Sequence, residues 1–200
     1  MLKEKYKGVL VVISSPSGAG KTTIAKKLVS KKSNIELSVS LTTRKPRPKE
    51  VNAMDYHFVS KDFFKKKIKQ NFFLEHAKVF DNFYGTIKKD ITDKLKKGIN
   101  ILLDIDWQGA RQVRKKMPKD ILSIFILPPS LKELKKRLEK RENNTSFVKK
   151  RTSKAKKEIA HWREYDYVIV NNDLKKCIKE IKIILEADKN RPSRKSISKF

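Results

Sequence analysis

Apolar residues are concentrated in four short continuous runs, at 8–14, 99–104, 121–127 and 165–170. Each run is about as long as one strand and is apolar at nearly every position rather than at every second one. This pattern is typical of strands that are covered on both faces, as in a parallel sheet. Stretches with the apolar spacing of helices lie at 22–32, 86–97, 107–116, 130–141 and 147–162. The alternation predicts an α/β fold, with a parallel β-sheet core and helices on both faces.

The segment from Ser38 to Tyr84 does not follow this alternation. It contains short pieces of alternating polarity and one helical pattern near 61–69, which predict a small mixed α/β insertion with partly antiparallel strands. Farther along, the polar stretch at 142–146 predicts a mobile loop between two helices. Beyond Ala187 the chain turns polar and basic, so we expect a frayed tail over 188–200.

The chain is strongly basic, with 50 lysines and arginines against 22 acidic residues and a formal net charge of +28. The 40 lysines are spread over nearly every helical segment, and only 10 of the basic residues are arginine, which groove-reading proteins favour. We therefore favour a lysine-rich surface over a dedicated nucleic-acid site, which stays the alternative.

Hydropathy and cysteine content indicate the cellular compartment of the protein. No apolar run reaches the length of a membrane span. The single cysteine, Cys177, excludes an internal disulfide framework and fits a reducing compartment. These features predict a soluble cytoplasmic protein, and they leave both a monomer and a homo-oligomer open.

A glycine-rich stretch, S-S-P-S-G-A-G-K-T-T from Ser14 to Thr23, follows the first apolar run and precedes a helical pattern. It matches the phosphate-binding motif G-x-x-x-x-G-K-[ST] except that Ser15 replaces the first glycine. In such loops backbone N–H groups hold phosphate oxygens at the start of a helix. Lys21 would then reach the β- and γ-phosphates, and the Thr22 hydroxyl would ligate Mg²⁺.

Two carboxylates, Asp104 and Asp106, stand at the end of the second apolar run. Ligands of open α/β sheets bind at the carboxyl ends of strands, and residues two apart project from the same face. Neighbouring carboxylates repel each other unless a cation or hydrogen-bond donors satisfy them. A functional pair is therefore favoured, although Asp106 could instead cap the helix that begins with W-Q-G-A-R.

Arginines are clustered in two places. Arg44 and Arg47 lie in T-T-R-K-P-R-P, where the prolines stiffen the chain, and their planar forks can bind phosphate bidentately. Arg137, Arg141 and Arg151 flank the polar stretch at 142–146. They could supply the mobile positive charge of a lid, and an ordinary basic helix face is nearly as good an interpretation.

Together these elements closely resemble those of the guanylate kinase family, from about Gly8 to Ala187. The resemblance rests on S-P-S-G-A-G-K-T, T-T-R-K-P-R-P, F-L-E-H-A-K-V-F-D-N-F-Y-G-T, L-D-I-D-W-Q-G-A and I-F-I-L-P-P-S. It implies a P-loop NTPase-like fold and transfer of the γ-phosphoryl group of ATP to GMP with Mg²⁺, giving ADP and GDP in purine nucleotide metabolism and GMP recycling. Members of this family often lack the first loop glycine.

The resemblance also implies roles for individual residues. ATP would contact the loop and one residue near the adenine: Ser15, Pro16, Ser17, Gly18, Ala19, Gly20, Lys21, Thr22 and Asn171. The phosphate of GMP would be held by Arg44, Arg47, Tyr56 and Tyr84, and guanine would be recognised by Ser40, Glu75 and Asp106, with Thr86 nearby. Asp104 would lie close to the reacting phosphates and the metal. The residues expected to act in catalysis are Lys21, Arg44, Asp104, Arg137, Arg141 and Arg151.

By the same resemblance, a kinase-like domain covers 8–187, with a core at 8–37 and 86–187. The GMP-binding insertion would cover 38–85 and the lid about 137–151. Two alternatives remain, a non-catalytic binding module related to this family and a basic nucleic-acid-binding protein. The intact G-K-T of the loop argues against the first of these.

Overall fold

The computed structural model describes residues 3–29, 34–48, 50–79, 81–141 and 145–198, with side chains described except those of 3–5, 141 and 196–198. In chain order the strands are β1 Lys3–Tyr6, β2 Leu10–Ser14, β3 Ile35–Leu37, β4 Leu41–Thr42, β5 His57–Phe58, β6 Phe73–Val79, β7 Asn82–Ile87, β8 Asn100–Asp104, β9 Ile121–Leu127, β10 Tyr167–Val170 and β11 Lys195–Ser198. The helices are α1 Lys21–Leu28, α2 Lys61–Lys69, α3 Lys88–Lys96, α4 Trp107–Lys116, α5 Leu131–Arg141, α6 Thr145–Ile159 and α7 Leu174–Asp188. Short 3₁₀ turns lie at Trp162–Glu164 and Pro192–Arg194.

The core is a parallel sheet with the strand order β10-β9-β2-β8-β3. Its strands are apolar on both faces because each face is covered by helices. On one face Val11 and Ile13 of β2 belong to the cluster that includes apolar side chains of α1 and α7. On the other face Leu10 and Val12 belong to the cluster that includes side chains of α3 and α4. The predicted fold class is therefore confirmed.

A second, mixed sheet with the order β5-β4-β7-β6 lies between α1 and α3 in the sequence. Strand β4 pairs in parallel with β5, whereas β6 and β7 form an antiparallel hairpin. Helix α2 covers this sheet through Phe64, whose ring stacks on that of Phe73 with centroids 4.5 Å apart. This arrangement agrees with the mixed character predicted for the insertion, while its limits at 38 and 85 stay a prediction.

Strands β1 and β11 pair in a third element, and here the prediction of a frayed tail is wrong for the described residues. Strand β11 pairs antiparallel with β1, so that Lys195 lies opposite Tyr6. Arg194 is buried, and its Nε lies 2.7 Å from Oδ2 of Asp188 while Nη1 donates to the carbonyl of Lys119 at 2.6 Å. The described residues from 188 to 198 are therefore ordered rather than frayed, because β11 pairs with β1 and Arg194 binds a buried carboxylate and two backbone carbonyls.

The segment 142–146, predicted as a mobile loop, lies only partly within the described residues. Residues 142–144 lie outside the described residues, and Thr145 and Ser146 form the first turn of α6. Helices α5 and α6 pack together through Leu134, Leu138 and Val148. Within the described ranges, none of the helices has the length and hydrophobicity required to cross a lipid bilayer.

Candidate active site

The glycine-rich loop connects β2 to α1 at the carboxyl edge of the core sheet. Gly18 and Gly20 adopt φ angles of 96° and 98°, which residues with a Cβ rarely tolerate. Positive φ angles of non-glycine residues in the described chain occur only at Asn34, Ala53 and Asn71, so Ser15 has an ordinary backbone conformation. A serine can therefore replace the first glycine of the motif without strain.

The loop is supported from behind by the neighbouring helices. Ala19 is fully buried in the cluster formed with side chains of α5 and α6. The buried side chain of Asn171 donates from Nδ2 to the carbonyl oxygen of Ala19 at 2.8 Å. The structure thus places Asn171, which was expected near the adenine, beneath the phosphate loop.

The side chains of Lys21 and Thr22 converge on the end of β8. The ammonium of Lys21 forms an ion pair with Oδ1 of Asp104 and donates to the carbonyl of Ile105 at 3.2 Å. The Thr22 hydroxyl donates to Oδ2 of the same carboxylate at 3.1 Å. The positive charge of Lys21 therefore balances the negative charge of Asp104. Two neighbouring carboxylates such as Asp104 and Asp106 need such a partner because they otherwise repel each other.

Asp106, the second carboxylate of the predicted pair, is the N-cap of α4. Its Oδ1 accepts hydrogen bonds from the backbone N–H groups of Gln108 and Gly109, at 3.0 and 3.1 Å. Such a cap satisfies N–H groups that the helix itself leaves without partners. Asp106 also lines the cavity described next, so its role as a helix cap is compatible with the predicted role in the site.

A cavity of about 710 Å³ extends from the phosphate loop to the mixed sheet. The predicted site residues that line it are Ser15, Pro16, Ser17, Gly18, Gly20, Lys21, Thr22, Ser40, Arg44, Arg47, Tyr56, Glu75, Tyr84, Asp104, Asp106, Arg137 and Arg151. Ala19, Thr86 and Asn171 lie behind its wall as buried residues. The side chain of Arg141 lies outside the described residues. The fold therefore brings together nearly all of the predicted positions.

Arg44 is held in the cavity wall by an acidic residue. Its two terminal nitrogens donate to the two carboxylate oxygens of Glu50, each at 2.9 Å, and Glu50 also accepts from the backbone of Arg47. Although burial favours the neutral acid, these hydrogen bonds keep the pKa of Glu50 below its ordinary value. The guanidinium also lies over the ring of Tyr56, 5.5 Å from its centroid. The arginine fork is thus oriented before any ligand binds.

Glu75 forms the other end of the cavity. It lies on β6 with only 2% of its surface exposed, and its Oε1 accepts from the Thr86 hydroxyl at 2.6 Å. Burial, with a smaller contribution from the charge of Asp106, raises the pKa of Glu75 to about 7. A buried carboxyl group with a raised pKa in a cavity wall marks a candidate functional site.

The helices after β9 contribute cations to the opposite wall. Arg137 is held by Glu133, with Nε 3.0 Å from Oε1, and Nη1 of Arg151 donates to the Ser17 hydroxyl at 2.8 Å. Glu158 accepts from the backbone N–H of Ser17 at 3.3 Å, and burial raises the pKa of its carboxyl group. Arg151 therefore contacts the phosphate loop, and Arg137 donates from Nη2 to the carbonyl of Asn171, the residue that supports the loop, at 3.3 Å.

Comparison with known proteins agrees with this geometry. A family model described as guanylate kinase matches residues 7–188. The chain belongs to the guanylate kinase family. A guanylate kinase of Maricaulis maris is 48% identical over 190 residues, covering 94% of this chain and 87% of that protein. A guanylate kinase of Wolbachia pipientis wMel is 50% identical over 186 residues, covering 92% of each chain. The crystal structure of guanylate kinase from Anaplasma phagocytophilum matches with a TM-score of 0.83 and 41% identity, covering 98% of this chain and 92% of that one.

Membership of the guanylate kinase family confirms the resemblance inferred from the sequence. Two acidic residues of the site were nevertheless missed, Glu50 and Glu158. The sequence does indicate a role for Glu50, because it is an acidic residue three positions after Arg47 in a strongly basic loop and could pair with a nearby arginine. The partner of Glu158 is 141 residues away, so local sequence carries no signal for that contact.

Proposed function

We propose that this protein transfers the γ-phosphoryl group of ATP to GMP, forming ADP and GDP. One observation carries the proposal. A single cavity is lined by the phosphate loop and by a buried carboxylate, Glu75, and Arg44 and Arg47 line the same cavity. Such a cavity can hold a nucleoside triphosphate and a nucleoside monophosphate end to end, with their phosphates facing each other.

ATP binds at the loop end. Its β- and γ-phosphates lie against the loop backbone and the N-terminus of α1, where N–H groups and the helix dipole attract anions. On binding, Lys21 exchanges its ion pair with Asp104 for the phosphate oxygens. Ser15 to Thr22 supply these contacts, and Asn171 supports the loop and lies on the adenine side.

The phosphate of GMP binds to residues that all line the cavity, namely Arg44, Arg47, Tyr56 and Tyr84. Because Glu50 already holds the Arg44 fork, little side-chain entropy is lost when the phosphate arrives. Tyrosine hydroxyls donate to phosphate oxygens, and burial raises the pKa of Tyr56 above its usual range, so that it remains a donor.

Guanine binds at the end formed by Glu75, with Ser40 and Asp106 in the wall. Guanine presents two donors on one edge, the N1–H and the exocyclic amino group. An ionised carboxylate accepts from both, whereas adenine offers no such pair of donors. Thr86 orients the carboxylate through the 2.6 Å hydrogen bond to Oε1. Selection of GMP over AMP follows from this complementarity.

The chemical step is an in-line displacement on the γ-phosphorus of ATP. An oxygen of the GMP phosphate forms the new P–O bond while the bond to the β-phosphate oxygen breaks and ADP leaves. An ionised phosphate needs no general base, so catalysis consists of positioning and charge stabilisation. Lys21, Arg44, Arg137 and Arg151 supply the positive charge, together with Arg141 in a lid formed by 137–151.

Magnesium fits the oxygen donors near the loop. Mg²⁺ prefers hard oxygen ligands, and the Thr22 hydroxyl and the Asp104 carboxylate lie within 3.1 Å of each other. Thr22 would hold the ion and Asp104 would lie nearby. When bound with ATP, Mg²⁺ neutralises part of the charge on the phosphates.

The remaining properties of the chain suit a small-molecule enzyme. We place it in the cytoplasm, because its one cysteine is a buried free thiol and cytosolic proteins rarely depend on disulfides. Its substrates are ATP and GMP. The lysine-rich surface is general charge rather than a specific nucleic-acid site.

A coupled assay of ADP formation tests the proposal directly. With ATP, Mg²⁺ and GMP, ADP should accumulate in proportion to GMP consumed, and AMP in place of GMP should give a far lower kcat/KM. The matched control is the same assay without a monophosphate acceptor. No ADP beyond that control would contradict the proposed activity.

A further inference from the structure

Helix α4 approaches the base end of the cavity unusually closely at Gly109. A methyl group added at Gly109 would lie 3.0 Å from Cδ of Glu75 and 2.5 Å from its Oε2, and the second distance is shorter than real Cβ atoms show. Ile105, at 3.3 Å, is the next neighbour. The carboxylate therefore occupies the space in which any other residue at 109 would place its side chain.

Backbone conformation does not explain this glycine. The described glycines with positive φ are Gly18, Gly20 and Gly98, so Gly109 has ordinary helical geometry that alanine would adopt. Glycine is disfavoured relative to alanine within a helix. Its N–H donates to Asp106, but every residue except proline could do the same. What distinguishes position 109 is the contact with Glu75.

The same face of α4 also fixes the strand that carries Glu75. Positions 109, 112 and 116 are three and four residues apart, so their side chains share one side of the helix. Gln112 accepts from the backbone N–H of His76 at 3.2 Å and donates to the carbonyl of His76 at 2.7 Å. Lys116 donates to the carbonyl of Leu74 at 2.5 Å. The backbone on both sides of Glu75 is therefore bound to α4.

We propose that Gly109 is a positioning residue for base recognition, because its missing side chain lets α4 lie against the Glu75 carboxylate and hold it towards the guanine edge. The inference rests on the proposed function and deepens it, since the selectivity of the site then depends on a residue that does not itself touch the base. Gln112 and Lys116 hold β6 so that this contact is maintained.

Gly109→Ala is the direct test. The added methyl forces the carboxylate to move by several tenths of an ångström or more, so kcat/KM for GMP should fall at least tenfold. The KM for ATP should stay within twofold, because the phosphate loop is not in contact with position 109. Val113→Ala is a matched control from the same helix, since Val113 is buried in the core. That variant should lower Tm but leave the ratio of kcat/KM for GMP to that for AMP within twofold.

A double-mutant cycle with Glu75→Ala shows whether the effect passes through Glu75. If it does, Gly109→Ala should change kcat/KM for GMP less than twofold in the Glu75→Ala background. Thermal unfolding gives a second readout that needs no activity. Because alanine is the better helix former, Gly109→Ala should raise Tm in the Glu75→Ala background and should fail to raise it in the parent.

The outcomes separate this inference from the proposed function. If the parent does not phosphorylate GMP, the proposed function fails, and the two Tm comparisons still decide whether Gly109 accommodates Glu75. The inference is overturned if the parent is active and Gly109→Ala keeps its kcat/KM for GMP within twofold. It is also overturned if Gly109→Ala lowers kcat/KM for GMP and for AMP by the same factor. A third contradicting result is a loss of kcat/KM for GMP that is as large in the Glu75→Ala background as in the parent.

Discussion

The two ends of the cavity are constructed from different kinds of structure. At the proposed phosphate end, the contiguous loop from Ser15 to Thr22 lines the cavity with every residue except Ala19, next to side chains such as Asp104 and Arg151. At the proposed base end, Glu75 on β6 lines the cavity, while Thr86 on β7 donates to its carboxylate and Gly109 on α4 leaves space for it. The first depends on local backbone conformation, and the second depends on tertiary packing around a buried acid.

This difference affects how each end tolerates change. A backbone site accepts a substitution wherever φ is ordinary, which is why Ser15 can replace a glycine. A buried carboxylate depends on its hydrogen-bond donor and on the space around it, because an unsatisfied or displaced charge is costly in a low-dielectric interior. Small changes to a side chain should therefore affect base selection more than phosphate binding. Lys21 is the exception, because the loop acts through this side chain as well as through its backbone.

Lys21→Ala has the largest expected effect, because Lys21 is the one lysine of the loop and is proposed to bind the transferring phosphates. The protein should remain folded while kcat falls about a thousandfold, the loss typical of removing a group that stabilises transition-state charge. Lys27→Ala, an exposed lysine farther along α1, is the matched control and should keep kcat within twofold. A Lys21→Ala enzyme with the parental kcat would show that the loop is not the phosphoryl donor site.

Arg194→Ala, far from both ends of the cavity, should reduce stability without changing selectivity. It leaves Asp188 buried without its main partner, and breaking a buried ion pair costs about 3–5 kcal/mol. Arg191→Ala removes an exposed partner of the same carboxylate and should cost less than about 1 kcal/mol. Urea unfolding of the three proteins measures both values. Similar costs for the two variants would show that the terminal contacts around Arg194 contribute little.

The pH dependence of kcat/KM for GMP should show the ionisation of Glu75. Because burial raises the pKa of Glu75 to about 7, the carboxyl group becomes protonated as pH falls below that value. A protonated carboxyl directs an O–H towards the donor edge of guanine, so kcat/KM for GMP should fall about tenfold per pH unit on the acid side.

Ionisation of the GMP phosphate, with a pKa near 6, adds a separate effect at lower pH. A Glu75→Gln variant should retain the decrease in kcat/KM that the GMP phosphate causes. It should lose the decrease that begins at about pH 7, here called the limb at about 7. If the limb at about 7 persists in the variant, another group controls it.

The sequence was most informative where structure is local. The strand Ile121–Leu127 and the helix Trp107–Lys116 have the bounds that their apolar patterns predict, and the phosphate loop lies where its motif placed it. The sequence could not show contacts between distant residues. The sequence predicts only a basic tail where Arg194 and Asp188 form a buried ion pair. Composition does not show which charged residues of a segment form ion pairs in the fold.

The same limit applies within the site. Gly109 reads as an ordinary helix position until β6, 34 residues earlier, is seen to place a carboxylate against it. Residues whose role depends on one distant neighbour require the fold before they can be recognised.

The central claim is that Glu75 selects the base, and Glu75→Gln tests it most directly. The amide keeps the shape but turns one acceptor into a donor that faces a donor of guanine. A mispaired buried polar group costs about 1–3 kcal/mol, and more where charge is involved. Since each 1.36 kcal/mol is about tenfold in rate, kcat/KM for GMP should fall by roughly ten- to several-hundred-fold.

The decisive measurement compares kcat/KM for GMP and for AMP in the parent and in Glu75→Gln. We expect a large loss with GMP and a much smaller change with AMP, because misfolding or damage to the phosphate end would lower both. Equal losses with the two nucleotides, or an unchanged value for GMP, would contradict the assignment of Glu75 to the guanine site.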